Sequence, residues 1–156
     1  MKAVAQITTE EVRSAQADWG AGVVHIGAAP SWEEAHARAT AFVQARYRCD
    51  GSLLFCPTRA QENQFRRTVD DVVSYFVGRN SVHLEDEGFA LAPWVSVRFE
   101  NAGIVSRGAA ALAMGNYFFG RSDGSELKAE FSFVYTRGET GTLCIDLHHS
   151  ALPFGH

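Results

Sequence analysis

The segment Leu143–Phe154, LCIDLHHSALPF, brings Asp146, His148, His149 and Ser150 together near the end of the chain. Those residue types could ligate a metal, pair a nucleophile with its base, or line a pocket for a small anion. The segment reads as a β-strand, in which successive side chains point to opposite faces. His149 then shares a face with Leu143, Ile145 and Leu147, while Cys144, Asp146, His148 and Ser150 share the other. Two histidines on opposite faces do not converge on one metal ion, and no HxxxH or HExxH spacing occurs elsewhere. A Ser-His-Asp triad is equally hard to build from neighbours on one strand, and there is no GxSxG elbow. Two readings stay open: His148 and Ser150 line one pocket, or His148 lies on a polar strand edge with His149 as a satisfied core residue.

The elements that must position this strand follow from pattern. TTEEVRSAQADW predicts a short helix, capped by Thr8 or Thr9, with Glu10 and Glu11 in its first turn. GAGVVHIGAAP predicts an irregular connector. SWEEAHARATAFVQARYRCDG predicts a second helix, with Ser31 and Glu34 as a capping box and Gly51 as its stop. A third helix is expected over TRAQENQFRRTVDDVVSYFVG, starting at Thr58 and ending at Gly78, with Phe65, Val69, Val72 and Phe76 on one stripe. From Trp94 onward, alternating segments separated by Asp123-Gly124 and RGETG predict an antiparallel meander. Helices followed by strands imply an α+β fold, a curved sheet over helices, in one domain spanning 1–156 with 1–18 as a helical extension of a 19–156 core.

Bulk properties narrow the class of function. The 156 residues are 46% hydrophobic and 21% charged, enough for a core without disulfide or metal staples. A net charge of −4 and the absence of basic clusters beyond Arg66-Arg67 argue against nucleic acid or an anionic membrane as partner. Three spaced cysteines make no disulfide framework and fit a reducing, cytoplasmic setting. The N-terminal stretch has no apolar core of a signal peptide, and no apolar run reaches membrane-spanning length.

Four longer stretches, LLFCPTRAQENQFRRTVDDVVSYFVG, EDEGFALAPWVSVRFENAGI, AMGNYFFG and LHHSALPF, resemble the iota-class carbonic anhydrase family and its bacterial relatives similar to the association domain of calcium/calmodulin-dependent kinase II. The resemblance runs from about Trp19 to the end. It implies a nuclear-transport-factor-2-like cone and the hydration of carbon dioxide to bicarbonate, without cofactor and, in some members, without metal. It also implies Thr58, Tyr75, His148 and Ser150 as catalytic residues, with Thr58, Tyr75, His149 and Ser150 around the bicarbonate. Two positions depart from the family pattern: Cys56 replaces a usual lysine, and Ala151 replaces a second serine.

Each residue also has a plain structural reading. Thr58 could cap the third helix with Gln61 as its reciprocal partner. Tyr75 could be core, its hydroxyl bonded internally. Two other functions fit the same fold. A non-catalytic assembly module would use aromatic strands such as Tyr117, Phe118 and Phe119 to build a homo-oligomer. An isomerase or another lyase would place a carboxylate, Asp146 or Glu130, in an apolar pocket. What faces the interior of the cone separates the three.

Overall fold

The structure, a computed structural model, describes residues 5–155; residues 1–4 of the expected N-terminal extension lie outside it. Helices α1 (Thr9–Gly27) and α2 (Trp32–Arg46) are followed by a short strand β1 (Leu54–Cys56) and helix α3 (Val69–Val77). After a single 3-10 turn at Phe89–Leu91 come four long strands, β2 (Ser96–Arg107), β3 (Ala110–Gly120), β4 (Glu126–Arg137) and β5 (Leu143–Ala151). The sheet order is β1-β5-β4-β3-β2, with β1 parallel to β5 and every other pair antiparallel. The expected α+β architecture is therefore present, with helices against the inner face of a mainly antiparallel sheet.

Three helix boundaries differ from the sequence reading, each for a physical reason. Helix α1 does not stop at the glycine-rich stretch but continues to Gly27. Its glycines give room: a Cβ on Gly22 would lie 2.3 Å from the Phe42 ring of α2. Thr8 caps the helix through a capping box with Glu11. Helix α2 is capped by Ser31 as expected, although the Glu34 carboxylate turns to Arg38 instead of closing the box. It ends at Tyr47, not Gly51, because Tyr47 becomes extended and bridges to Ile145 of β5.

Helix α3 is the largest revision. It begins at Val69, capped by Thr68 and Asp71, so Thr58 is not its cap. The Glu85 carboxylate accepts the N–H groups of Gln61, Glu62 and Asn63, and Arg66 donates to the Asn63 carbonyl. Those backbone groups are satisfied outside a helix. Phe65 is 72% exposed and takes no part in the core. Gly78 does end α3, at φ 57°, with the Asp86 carbonyl 2.8 Å from where a Cβ would stand.

The core lies between the helices and the inner sheet face. It contains Trp19, Phe42, Tyr47, Phe55, Phe76, Tyr117, Phe119, Phe131, Phe133 and Tyr135. Tyr135 is unusual within it: its hydroxyl is buried and has no hydrogen-bond partner among the described residues. Burial pushes its pKa well above the ordinary tyrosine value. A Tyr135→Phe variant removes that stranded group and is expected to unfold in urea at equal stability or about 1 kcal/mol higher. A clear loss of stability would show that the hydroxyl has a partner.

Candidate active site

Strand β5 carries a β-bulge that sets which of its side chains face inward. Leu147 pairs with Val134 and Ile145 pairs with Tyr135, leaving Asp146 as the extra residue. Strict alternation would put Ile145 and His148 on opposite faces, but the bulge turns both inward, and both are buried. Asp146 is diverted outward. Its carboxylate accepts from Arg48 Nε at 2.9 Å and from the Thr136 hydroxyl at 2.7 Å. The expectation that Asp146 shares a face with His148 and Ser150 is thus corrected, and only the latter two remain together. Glu130, the other carboxylate considered, is exposed opposite Ala151. Neither acid lines the interior.

His149 is exposed on the outer face beside Cys56 and Ser132. That geometry removes it from the group expected around bicarbonate, because the strand turns it away from His148. Ala151 and Cys56, the two departures from the family pattern, also occupy outward-facing register positions.

The inner face brings Thr58, Tyr75, His148 and Ser150 to one small cavity, with walls from Trp19, Phe55, Pro57, Phe76, Phe89 and Tyr117. Its volume is about 10 Å³, room for about one water-sized group before any side chain adjusts. The Thr58 and Ser150 hydroxyl oxygens are 2.5 Å apart. Tyr117 donates its hydroxyl hydrogen to Ser150 and lies 3.1 Å from His148 Nε2. Tyr47 meets His148 Nδ1 at 3.0 Å and accepts from the Trp19 indole at 2.9 Å. The imidazole is stacked between the rings of Phe133 (4.2 Å) and Phe55 (4.6 Å).

No ionised group lines this cavity. Burial, with a smaller contribution from His149, lowers the pKa of His148 well below the usual value of 6.5, so the ring is neutral at pH 7. Burial also pushes Tyr75 up to about 12, against opposing pulls from the Arg59 backbone and the Thr58 hydroxyl, and pushes Tyr117 higher still. Both phenols therefore keep their protons. The Tyr75 hydroxyl is buried without a hydrogen-bond partner among the described residues. That leaves a free donor beside Thr58 and Ser150.

Tyr75 and Phe89 also form the boundary with a wider recess of about 500 Å³, lined by Arg59, Gln61, Glu85 and Glu87 among others. Arg59 stands over the Phe89 ring at 5.5 Å. Among the described residues no three His, Cys, Asp or Glu side chains are grouped to hold a metal ion.

The profile of the family described as metal-independent carbonic anhydrase matches residues 10–152. The chain belongs to that family. It is 35% identical over 153 residues to a metal-independent carbonic anhydrase from Nostoc sp., covering 95% of this chain and 75% of that one. Its structure is similar to that of an iota-carbonic anhydrase from a cyanobacterium complexed with bicarbonate, with TM-score 0.93, 33% identity and coverage of 97% and 95% of the two chains. A nuclear transport factor 2-like superfamily protein from Salmonella enterica matches at TM-score 0.59 and 12% identity, covering 94% and 91%, and shows the shared cone fold.

Sequence reasoning missed Trp19, Tyr47 and Tyr117 as parts of the site. The run Tyr117-Phe118-Phe119 is aromatic on both faces, so its pattern does not mark Tyr117, and the bond to Ser150 depends on two intervening pairings, β3 with β4 and β4 with β5. Nothing local marks Tyr47, because its position follows from where α2 stops.

Proposed function

We propose that this member of the metal-independent carbonic anhydrase family catalyses the reversible hydration of carbon dioxide, with bicarbonate held by the hydroxyls of Ser150, Thr58 and Tyr75. One observation carries the reading: the neutral hydroxyls of Thr58, Tyr75, Tyr117 and Ser150 border one small cavity, and that of Tyr75 has no hydrogen-bond partner among the described residues. Such groups donate to the oxygens on which charge develops as water adds to carbon dioxide. The aromatic walls leave those donors few competing waters, which strengthens them.

In the hydration direction, the water oxygen bonds to the carbon of carbon dioxide. One water proton leaves, and the other remains on the product as the bicarbonate O–H. The donors stabilise the two carbonyl-derived oxygens, and holding water beside carbon dioxide lowers the entropic part of the barrier. We assign His148 to holding Tyr117 and Tyr47, since both its nitrogens are engaged and the ring is neutral. The released proton passes to solvent in the wider recess beyond Tyr75 and Phe89.

The test is a stopped-flow hydration assay on protein stripped with a chelator. Hydration that survives stripping is the expected result; a well-folded protein with no activity in either condition would sink the reading. The exposed outer-face side chains Leu54, Leu112 and Met114 support pairing with a second copy through the sheet. The free thiols of Cys49, Cys56 and Cys144 support a reducing compartment such as the cytoplasm. No helix among the described residues is long and apolar enough to cross a membrane.

A further inference from the structure

We propose that Trp19 and Tyr47 set the tautomer of His148 and so fix the direction of a hydrogen-bond chain that ends at the cavity. This rests on the proposed bicarbonate site but concerns residues other than its proposed hydroxyl donors. The chain runs Trp19, Tyr47, His148, Tyr117, Ser150, Thr58, and joins α1, the end of α2, β5, β3 and the segment after β1.

Its direction follows from counting hydrogens. An indole N–H can only donate, so Tyr47 Oη must accept from Trp19. Tyr47 is 1% exposed, and among the described residues its hydroxyl hydrogen has one acceptor in reach, His148 Nδ1 at 3.0 Å. Were Nδ1 to carry the proton instead, Tyr47 would accept twice and its own hydrogen would be stranded in the core. Nδ1 is therefore bare and Nε2 is protonated. Nε2–H then donates to Tyr117, which donates to Ser150. The Ser150 hydrogen remains for Thr58 or a ligand.

Every hydrogen in the chain thus points toward the cavity. Trp19 is the one member that cannot reverse, because each of the others can both donate and accept. A site built this way presents donors and favours an acceptor-rich oxyanion over a neutral oxyacid of the same shape. Trp19 and Tyr47 supply none of the hydroxyl donors proposed for bicarbonate. They are positioning residues acting through His148.

The test reads the imidazole directly. In protein labelled with 15N-histidine and free of bicarbonate, the two ring nitrogens of His148 are distinguished by their shifts and couplings. The expected result is an unprotonated Nδ1 and a protonated Nε2. A proton on Nδ1 would overturn the proposal, whatever the enzyme's activity. A Trp19→Phe variant opens space for water beside Tyr47 and gives its hydrogen a second acceptor. It is expected to show mixed tautomers and to weaken bicarbonate binding by about tenfold, the effect of one ordinary hydrogen bond. A folded variant with the original tautomer and unchanged affinity also counts against the proposal. If that variant fails to fold, placing the sulfur isostere of tryptophan at position 19 keeps the ring shape, removes only the N–H and gives the same readout. The expected tautomer without any bicarbonate binding would instead sink the functional reading and leave the chain direction standing.

Discussion

A Ser150→Ala variant is expected to lose about 10²–10³-fold in kcat/KM for carbon dioxide hydration, the usual effect of removing one donor from an oxyanion site. Ser150 is the junction of the proposed site: it accepts from Tyr117 and meets the Thr58 hydroxyl at 2.5 Å. Its loss takes away a donor to the product anion. It also leaves the hydroxyl of Tyr117, a residue 1% exposed, without its acceptor, a destabilisation of about 1–3 kcal/mol. The two effects are separable. Stopped-flow hydration in the presence of chelator reads the first, and urea unfolding reads the second. A variant that keeps the full hydration rate after metal stripping would remove Ser150 from the mechanism. A loss of stability with no loss of rate would make it a structural residue only.

How much of this site was legible in the chain depends on how local each determinant is. The meander from β2 to β5 followed from two-residue alternation and its turns, because a half-buried antiparallel strand writes its faces into its own sequence. That same alternation placed His148 and Ser150 together and turned His149 away. It failed at Asp146, because a bulge inserts one residue without changing composition. The bulge is matched by partners that sequence spacing does not reveal, Arg48 from the end of α2 and Thr136 from β4. The start of α3 was misplaced for a related reason. The stripe Phe65, Val69, Val72 and Phe76 has helical spacing and Thr58 could cap it, but the backbone at residues 61–63 is held by Glu85 and Arg66, and Arg66 in turn by Asp86. In the sequence Arg66 is marked only as half of the Arg66-Arg67 basic pair. It is in fact fully buried, and its partner lies twenty residues away. The family resemblance supplied Thr58 and Tyr75, which no local pattern distinguished from a helix cap and a core aromatic. The same resemblance did not supply the hydrogen-bond chain behind them.

That buried pair carries the second large prediction. Asp86→Ala is expected to cost about 3–5 kcal/mol of unfolding free energy, the range for removing one partner of a buried ion pair. Arg66 donates to both Asp86 carboxylate oxygens, at 2.8 and 2.9 Å, and both side chains have 0% exposure. Asp86 also accepts from the Ser74 hydroxyl of α3 at 2.5 Å. Without it, the guanidinium keeps, among the described residues, only the carbonyls of Asn63 and Asp71 as close partners, with Glu85 at 3.9 Å. Its charge is then largely uncompensated in the core. The segment that Arg66 organises begins just after β1 and carries Thr58, so hydration activity should fall even where the variant is still folded. The double variant Arg66→Met/Asp86→Leu removes both charges together and is expected to recover much of the lost stability, since an apolar pair of similar size often replaces a buried ion pair at little cost. It cannot restore the Arg66 bond to the Asn63 carbonyl, so activity should stay low. Urea unfolding and stopped-flow rates on the two variants separate the roles. A single variant costing under about 1 kcal/mol would mean that the pair behaves like an exposed salt bridge. A double variant with full activity would mean that Thr58 is placed without Arg66.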